Sequence, residues 1–327
     1  MPIMLLLLFL LCCNTPVLST ENSDEISLLK IKQQLGNPPF LSNWVKGFNF
    51  CNVVFRQPLA PDSYISVGCT ITGRVGAFEM KQLINVTAPF PEAICGLTEL
   101  ISLRIDHIPG LYGRIPTCIN KMSNLTEVSI SETSVSGNVP HFYNNTNLSR
   151  IILAGNNLSH SIPPSLSTLP KLVYLDLSSN HLTGTIPKSY GWANVWGIFV
   201  QNNQLHGDAS FLLDKQSKTA RIDLANNSFK FDLSYIEFSD NLQSLDLSHN
   251  KIFGKVPSSF ATAFMLEYAN FSFNRLCGEI PQRHMGPLDF TVFYGATIFA
   301  NNRCLCGYPL PPCSPSSHAP APAPASA

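Results

Sequence analysis

The stretch LVYLDLSSNHLTGTIP, residues 172–187, is repeated in closely similar form as LQSLDLSHNKIFGKVP at residues 242–257. Both fit the pattern LxxLxLxxNxLxGxIP, with Ile and Val replacing two of the apolar residues in the second copy. The opening position of each copy falls at residues 75, 100, 125, 148, 172, 195, 219, 242 and 266. The intervals of 23 to 25 residues indicate that one structural unit is repeated nine times.

The residues of the repeat predict how each unit folds. The LxL core is a short strand with two apolar side chains pointing inward and one residue pointing outward. An Asn then turns the chain, and Gly and Pro shape the return path. The turn positions are Asn156, Asn180, Asn203, Asn227, Asn250 and Asn274. We therefore predict an α/β leucine-rich-repeat solenoid: a right-handed curved superhelix with a parallel concave β-sheet, short helical or 3-10 returns on the convex side, and disulfide-stapled caps.

The two ends of a solenoid need lids, and the cysteines are placed to supply them. We predict an N-terminal cap at residues 20–74, nine repeats at 75–281 and a C-terminal cap at 282–313. An amphipathic helix starts at Asp24 in the first cap. The predicted disulfides are Cys51–Cys69, Cys277–Cys304 and Cys306–Cys313. Cys95 and Cys118 lie on neighbouring returns, two positions out of register, and are either a fourth disulfide or two buried thiols.

The termini and the sequons predict a secreted protein. Residues 1–19 resemble a signal peptide, which would remove Cys12 and Cys13, and no later apolar run is long enough for a membrane anchor. Residues 314–327 form a disordered Ala/Pro-rich tail, either unmodified or carrying hydroxyproline glycans. Asn-x-Ser/Thr sequons predict N-glycosylation at Asn85, Asn124, Asn144, Asn147, Asn157, Asn226 and Asn270.

Composition and motifs exclude several classes of function. The formal net charge of zero gives no reason to expect nucleic acid as a partner. The CxC spacing of Cys304 and Cys306 lacks a second Cys or His pair, so neither a metal nor another cofactor is predicted. Asp223 and Asp246 lie on neighbouring strands, but an open sheet offers no enclosed cleft for acid catalysis. We therefore predict a binding protein rather than an enzyme.

Longer motifs resemble a known family. The segments ISLLKIKQQLGNP, HGDASFLLDKQSKTARIDLANNSFKFDLSYIEF, NRLCGEIPQ and NNRCLCGYPLPPC are similar to those of plant polygalacturonase-inhibiting proteins, and the resemblance runs from Glu25 to Cys313. It implies a protein of the extracellular space and plant cell wall that acts in defence. Such a protein would bind and inhibit secreted fungal or insect polygalacturonases through its concave face. The family has four cysteines before the first repeat, whereas this chain has Cys51 and Cys69 there.

Outward positions on the central strands are the candidate contact residues. Exposed aromatic and charged side chains are typical of binding surfaces. The predicted set is Arg150, Tyr174, Asp176, Trp196, Phe199, Gln201, Arg221, Asp223, Asp246 and His249. The alternative for each Asp is a solvated filler of the repeat. Pectin is a second candidate partner. Two other functions remain open: a soluble receptor-like or adaptor protein in development or immune signalling, and an ice-binding protein.

Overall fold

The computed structural model describes residues 22–57, 60–282 and 295–314. The predicted signal peptide, residues 315–327 of the tail and residues 283–294 of the predicted C-terminal cap lie outside the described residues. The described residues contain two α-helices, α1 (Asn22–Gln34) and α2 (Ser259–Thr262). The 3-10 helices are Pro39–Leu41, Glu92–Gly96, Thr117–Lys121, Pro164–Thr168, Lys188–Trp192, Ser210–Leu212 and Ala296–Phe299.

The strands follow the period of the repeat. They are β1 (Val53–Gln57), β2 (Ala60–Cys69), β3 (Val75–Lys81), β4 (Ala88–Pro89), β5 (Ser102–Arg114), β6 (Glu127–Asn138), β7 (Arg150–Ile152), β8 (Asn157–His160), β9 (Tyr174–Asp176), β10 (His181–Gly184), β11 (Gly197–Phe199), β12 (Gln204–Gly207), β13 (Arg221–Asp223), β14 (Ser228–Phe229), β15 (Ser244–Asp246), β16 (Phe253–Gly254), β17 (Tyr268–Asn270), β18 (Arg275–Glu279) and β19 (Cys304–Cys306).

The main sheet has the order β1-β2-β3-β5-β6-β7-β9-β11-β13-β15-β17. All neighbours from β3 onward are parallel, which confirms the predicted solenoid. The first two pairings are antiparallel, so the N-terminal cap adds a hairpin to the sheet. The repeat pattern did not predict this hairpin because residues 53–69 contain no copy of the repeat. The outward surface of the main sheet is predicted to be concave and is named the concave face.

The repeated Asn joins neighbouring turns through its buried amide. Asn180 Oδ1 accepts the Leu158 N–H (3.0 Å), and its Nδ2 donates to the carbonyl oxygens of Leu153 (2.8 Å) and Leu177 (3.1 Å). Because unpaired backbone groups are costly when buried, this bonding fixes the spacing of the turns. Asn302 continues the series past the six predicted positions, accepting the Leu276 N–H at 3.0 Å.

Two of the described returns lack a helix, at residues 139–147 and 230–241. In residues 139–147 no 3-10 helix forms, and buried Phe142 adopts a φ of 53°. Its N–H donates to Asn120 Oδ1 at 3.0 Å. Buried Asn145 donates to the carbonyl oxygens of Ile119 (3.0 Å) and Met122 (2.6 Å), so polar side chains hold this segment against the preceding return.

Both ends of the core are covered. Trp44 packs edge-on against Phe50 at the N-terminal end, with ring centroids 5.2 Å apart. Phe271 stacks on Phe299 at the other end, with centroids 5.7 Å apart. The structure contains the disulfides Cys51–Cys69, Cys277–Cys304 and Cys306–Cys313, and it also joins Cys95 to Cys118.

Among the described residues, no helix is long and apolar enough to cross a membrane.

Candidate functional site

Strand register arranges the outward side chains of the concave face in two rows. The middle row is Glu79, Arg104, Ser129, Ile152, Asp176, Phe199, Asp223, Asp246 and Asn270. The leading row, two residues earlier on each strand, is Ala77, Ser102, Glu127, Arg150, Tyr174, Gly197, Arg221, Ser244 and Tyr268. Neighbours within a row are about 4.8 Å apart, the spacing of paired strands. A ligand lying along a row would therefore contact several repeats at once.

Aromatic rings and guanidinium groups stack at the centre of this face. The Arg150 guanidinium lies 4.3 Å from the centroid of the Tyr174 ring, and that ring lies 5.0 Å from the Phe199 ring. Arg221 lies over Trp196 at 5.0 Å. These contacts bring together five of the predicted residues and restrict their side-chain rotamers, because each group is held by a cation–π or ring contact.

The aspartates of the middle row also support the backbone. Asp176 Oδ1 accepts the Ser178 N–H, and Asp223 Oδ1 accepts the Ala225 N–H, both at 3.0 Å. Each carboxylate thus holds the turn that follows its strand, as expected of Asp side chains that bond two residues ahead. This local role explains why Asp recurs at the position, whether or not a partner contacts it.

Burial changes the protonation of this region. Desolvation, together with the neighbouring charges of Asp246 and Asp176, raises the pKa of Asp223 to about 6, although the hydrogen bond from the Ala225 N–H acts in the opposite direction. Desolvation and the charge of Asp246 raise the pKa of Tyr268 to about 12. The concave face therefore loses negative charge at Asp223 in mildly acidic solution.

The other predicted residues lie at different places on the same surface. Asp246 accepts a hydrogen bond from the Tyr268 hydroxyl at 3.0 Å. His249 lies in the turn after its strand, with a φ of 55°, and stacks on Phe273 with centroids 4.0 Å apart. Gln201 follows β11 and is half-buried. His249 and Gln201 are therefore outside the central stack, and their contact with a partner stays a prediction.

Sequence reasoning missed a depression of about 460 Å³ on the N-terminal part of the concave face. Glu127 links Arg104 (Nε–Oε2 3.1 Å) to Arg150 (Nε–Oε1 3.6 Å) across neighbouring strands. The lining residues are Glu79, Lys81, Arg104, Asp106, Glu127, Ser129, Ser131, Arg150 and Ile152. The signal in the sequence was the alternation of opposite charges at equivalent repeat positions.

The sequons lie on several surfaces. Asn85, Asn124, Asn144, Asn157 and Asn226 are exposed, while Asn147 and Asn270 are half-buried. Asn270 lies on the concave face and donates to Asp246 at 3.2 Å, so a glycan there would cover the last strand. Within the part of the chain that the structure describes, no cluster of three or more His, Cys, Asp or Glu side chains could hold a metal ion.

Comparison with known proteins identifies the repeat and its relatives. The family description "Leucine rich repeat" matches residues 123–182, and a second model of that description matches residues 241–263. Polygalacturonase inhibitor 2 of Arabidopsis thaliana is 36% identical over 105 residues, which are 32% of this chain and 30% of that protein. Polygalacturonase inhibitor 1 of Oryza sativa subsp. japonica is 36% identical over 113 residues, or 35% and 31% of the two chains. The matched part thus spans about a third of each inhibitor.

Two longer matches cover about nine-tenths of the chain, and a third covers more than half of it. Leucine-rich repeat protein FLOR 1 of Arabidopsis thaliana is 35% identical over 367 residues, covering 90% of this chain and 93% of that protein. A plant ice-binding protein superposes with a TM-score of 0.70 at 30% identity, covering 91% and 99% of the two chains. The plant peptide hormone receptor RGFR1, solved with RGF2, superposes with a TM-score of 0.55 at 28% identity, covering 59% and 31%. The chain belongs to the leucine-rich-repeat proteins and is similar to plant polygalacturonase inhibitors.

Proposed function

We propose that this chain is an extracellular binding protein that inhibits polygalacturonases secreted by pathogens or insects, and that it acts through the centre of its concave face. The sequence similarity to two polygalacturonase inhibitors supports the choice of partner. The observation that supports the choice of surface is the stack of Arg150, Tyr174 and Phe199 beside the Arg221–Trp196 pair.

Physical chemistry favours this stack as the contact surface. Trp, Tyr and Arg are enriched among the residues that dominate binding energy, and they act best when held rigid near the centre of an interface. Here each guanidinium is held against a ring, so little side-chain entropy remains to be lost on binding. Asp176 and Asp223 add negative charge, which suits the basic clefts of enzymes that bind anionic pectin. Pectin itself is a second candidate partner for the same arginines.

Inhibition can be tested with purified, glycosylated protein titrated against a panel of fungal and insect polygalacturonases. Trp196→Ala should raise the inhibition constant about 30-fold, the effect of losing a 2 kcal/mol contact. Trp192→Ala is the matched control, because Trp192 is 77% exposed on a 3-10 return away from the sheet. Full activity of every enzyme in the panel, with no measurable complex, would show that the proposed function is wrong.

Ice binding is a second candidate because of the structural match to a plant ice-binding protein. The turn positions offer one short polar row, in which Asn226 donates to Asn202 (3.0 Å) and Asn202 donates to Ser179 (3.2 Å). The row then changes to the stacked pair His249 and Phe273, so it lacks the regularity that an ice lattice requires. We expect no thermal hysteresis, and a measurable hysteresis gap would favour ice binding instead.

The receptor-like alternative is tested by ligand capture. A soluble receptor or adaptor would bind a peptide or a receptor ectodomain in the absence of any polygalacturonase. Inhibition that depends on Trp196 would argue for the inhibitor, whereas stable capture of such a ligand without inhibition would favour the receptor.

A further inference from the structure

The middle of the leading row has a gap that shapes its neighbour. Where β9 and β13 carry Tyr174 and Arg221, the equivalent residue of β11 is Gly197. A Cβ at Gly197 would lie 2.8 Å from Phe199 Cε2 and 3.4 Å from Phe199 Cζ. The ring of Phe199 therefore leans along its own strand and lies across the backbone of Gly197. A side chain at position 197 would displace the ring from this position.

Two aspartates lie on either side of the residue that carries this ring. Strand register places Asp176 and Asp223 on either side of Phe199 in the middle row. Each uses Oδ1 to accept a backbone N–H, and within the described residues neither Oδ2 accepts a hydrogen bond. Asp246 differs, because its Oδ2 already accepts hydrogen bonds from Tyr268 (3.0 Å) and Asn270 (3.2 Å).

The two nearby arginines, Arg150 and Arg221, contact groups other than Asp176 and Asp223. Arg150 lies over Tyr174 and beside Glu127, and Arg221 lies over Trp196. Within the described part of the chain, neither arginine forms an ion pair with Asp176 or Asp223. An aromatic face edged by carboxylates that have spare acceptor oxygens attracts a cation through both the ring quadrupole and the negative charges.

We propose that Gly197 is a positioning residue that keeps the Phe199 ring flat on the sheet, and that this ring, with Asp176 and Asp223, receives a lysine or arginine side chain of the protein partner. The proposal rests on the proposed function for the location of the contact surface. It adds the chemistry of the group received and the residue that shapes its site. Burial supports the assignment, because the partly desolvated carboxylate of Asp223 gains more from an added cation than a fully hydrated one would.

The test uses the full-length glycosylated protein with acetylated, amidated hexalysine as the probe, at pH 7.5 and low salt, by isothermal titration calorimetry. Gly197→Ala should weaken binding by about tenfold, because the Phe199 ring leaves its position across the Gly197 backbone and no longer presents the same face beside Asp176 and Asp223. Ser244→Ala, in the same row two strands away, is the matched control and should bind within about twofold of the wild type. Phe199→Leu should weaken binding about as much as Gly197→Ala.

The double variant separates positioning from a general structural effect. If Gly197 acts through Phe199, Gly197→Ala combined with Phe199→Leu should bind no more weakly than Phe199→Leu alone. Thermal unfolding is measured for each variant, and Phe199→Leu supplies the test if Gly197→Ala does not fold. Additive losses, unchanged binding in Phe199→Leu, or no binding of hexalysine by the wild type would overturn the proposal.

Two further measurements distinguish a cation site from a carbohydrate site, and this proposal from the proposed function. A trigalacturonate probe that binds with the same dependence on Phe199, while hexalysine does not, would assign the site to an acidic carbohydrate and overturn the proposal. Failure of inhibition across the polygalacturonase panel, with Phe199-dependent hexalysine binding retained, would contradict the proposed function and leave the cation site standing.

Discussion

The buried ion pair of the N-terminal cap allows a quantitative test of how this cap is held. Asp24 is fully buried and accepts hydrogen bonds from Arg74 Nε and Nη2, each at 3.0 Å, and from the Val75 N–H at 2.8 Å. These contacts join α1 to the start of β3. The Cys51–Cys69 disulfide does not involve α1, so the ion pair is a polar link between helix and sheet that adds to the apolar packing of Leu28 and Ile31.

Asp24→Ala should lower the free energy of unfolding by about 3–4 kcal/mol. Removing one partner of a buried ion pair typically costs about 3–5 kcal/mol, because the other group loses that interaction while it stays largely buried. The side chain of Arg74 is 18% exposed, so water can recover part of that loss. The Val75 N–H also loses its acceptor, which adds about 1 kcal/mol. Replacing both partners, as in Asp24→Ala with Arg74→Met, should cost less than Asp24→Ala alone.

Urea unfolding followed by Trp44 fluorescence measures this directly. Trp44 is 1% exposed in the cap, and Trp192→Phe with Trp196→Phe removes the other two tryptophans. Circular dichroism on the same samples reports the solenoid as a whole. A loss below about 1 kcal/mol for Asp24→Ala, or a double variant as unstable as the single, would refute the reasoning.

Three further predictions concern the solenoid and its sheet. Asn180→Ala should cost about 2–4 kcal/mol in urea unfolding, because the buried Leu158 N–H loses its acceptor; a loss under about 0.5 kcal/mol would contradict this. Cys95→Ser combined with Cys118→Ser should lower the free energy of unfolding by about 2–4 kcal/mol. Reducing all the disulfides of the wild type should lower it by at least as much, and a smaller loss on reduction would contradict the prediction. Burial raises the pKa of Asp223 from 3.8 to about 6, so the protonated form is favoured in the folded state. The stability that protonated Asp223 contributes is present below pH 3.8 and is lost as the pH rises through 6. Asp223→Asn should therefore raise Tm more at pH 7 than at pH 4, and equal shifts at both pH values would contradict this.

The repeat made most of the fold predictable, because each buried position recurs with the same residue type. The strands, their parallel order and the bonding of residues such as Asn180 all follow from that periodicity. The hairpin of β1 and β2 did not follow, because residues 53–69 contain no copy of the repeat. The pairing of Cys95 with Cys118 was left open because their positions differ by two residues. That offset is less than one turn of a 3-10 helix, and the Cα atoms are 5.7 Å apart.

The candidate site was predictable as a set of positions but not as a set of contacts. Alternation along each strand identified which side chains point outward, including Tyr174 and Phe199. It did not reveal that Arg150 lies over Tyr174, because the choice of rotamer depends on side chains one repeat apart in sequence. The role of Gly197 was not predictable for a related reason. The effect of Gly197 depends on where the Phe199 ring lies, and the sequence does not give that position.

The three aspartates of the middle row differ in whether their Oδ2 atoms are free to accept a hydrogen bond from a partner. A partner that engaged Asp246 would compete with the Tyr268 hydroxyl and the Asn270 amide for Oδ2. A partner that engaged Asp176 or Asp223 would meet an oxygen that accepts no hydrogen bond within the described residues, and so would displace none. We therefore expect Asp223→Asn and Asp176→Asn to weaken partner binding more than Asp246→Asn, with inhibition constants compared at pH 7.5. The reverse order would show that the partner reorganises the last strands of the sheet, and would move the contact surface toward Tyr268.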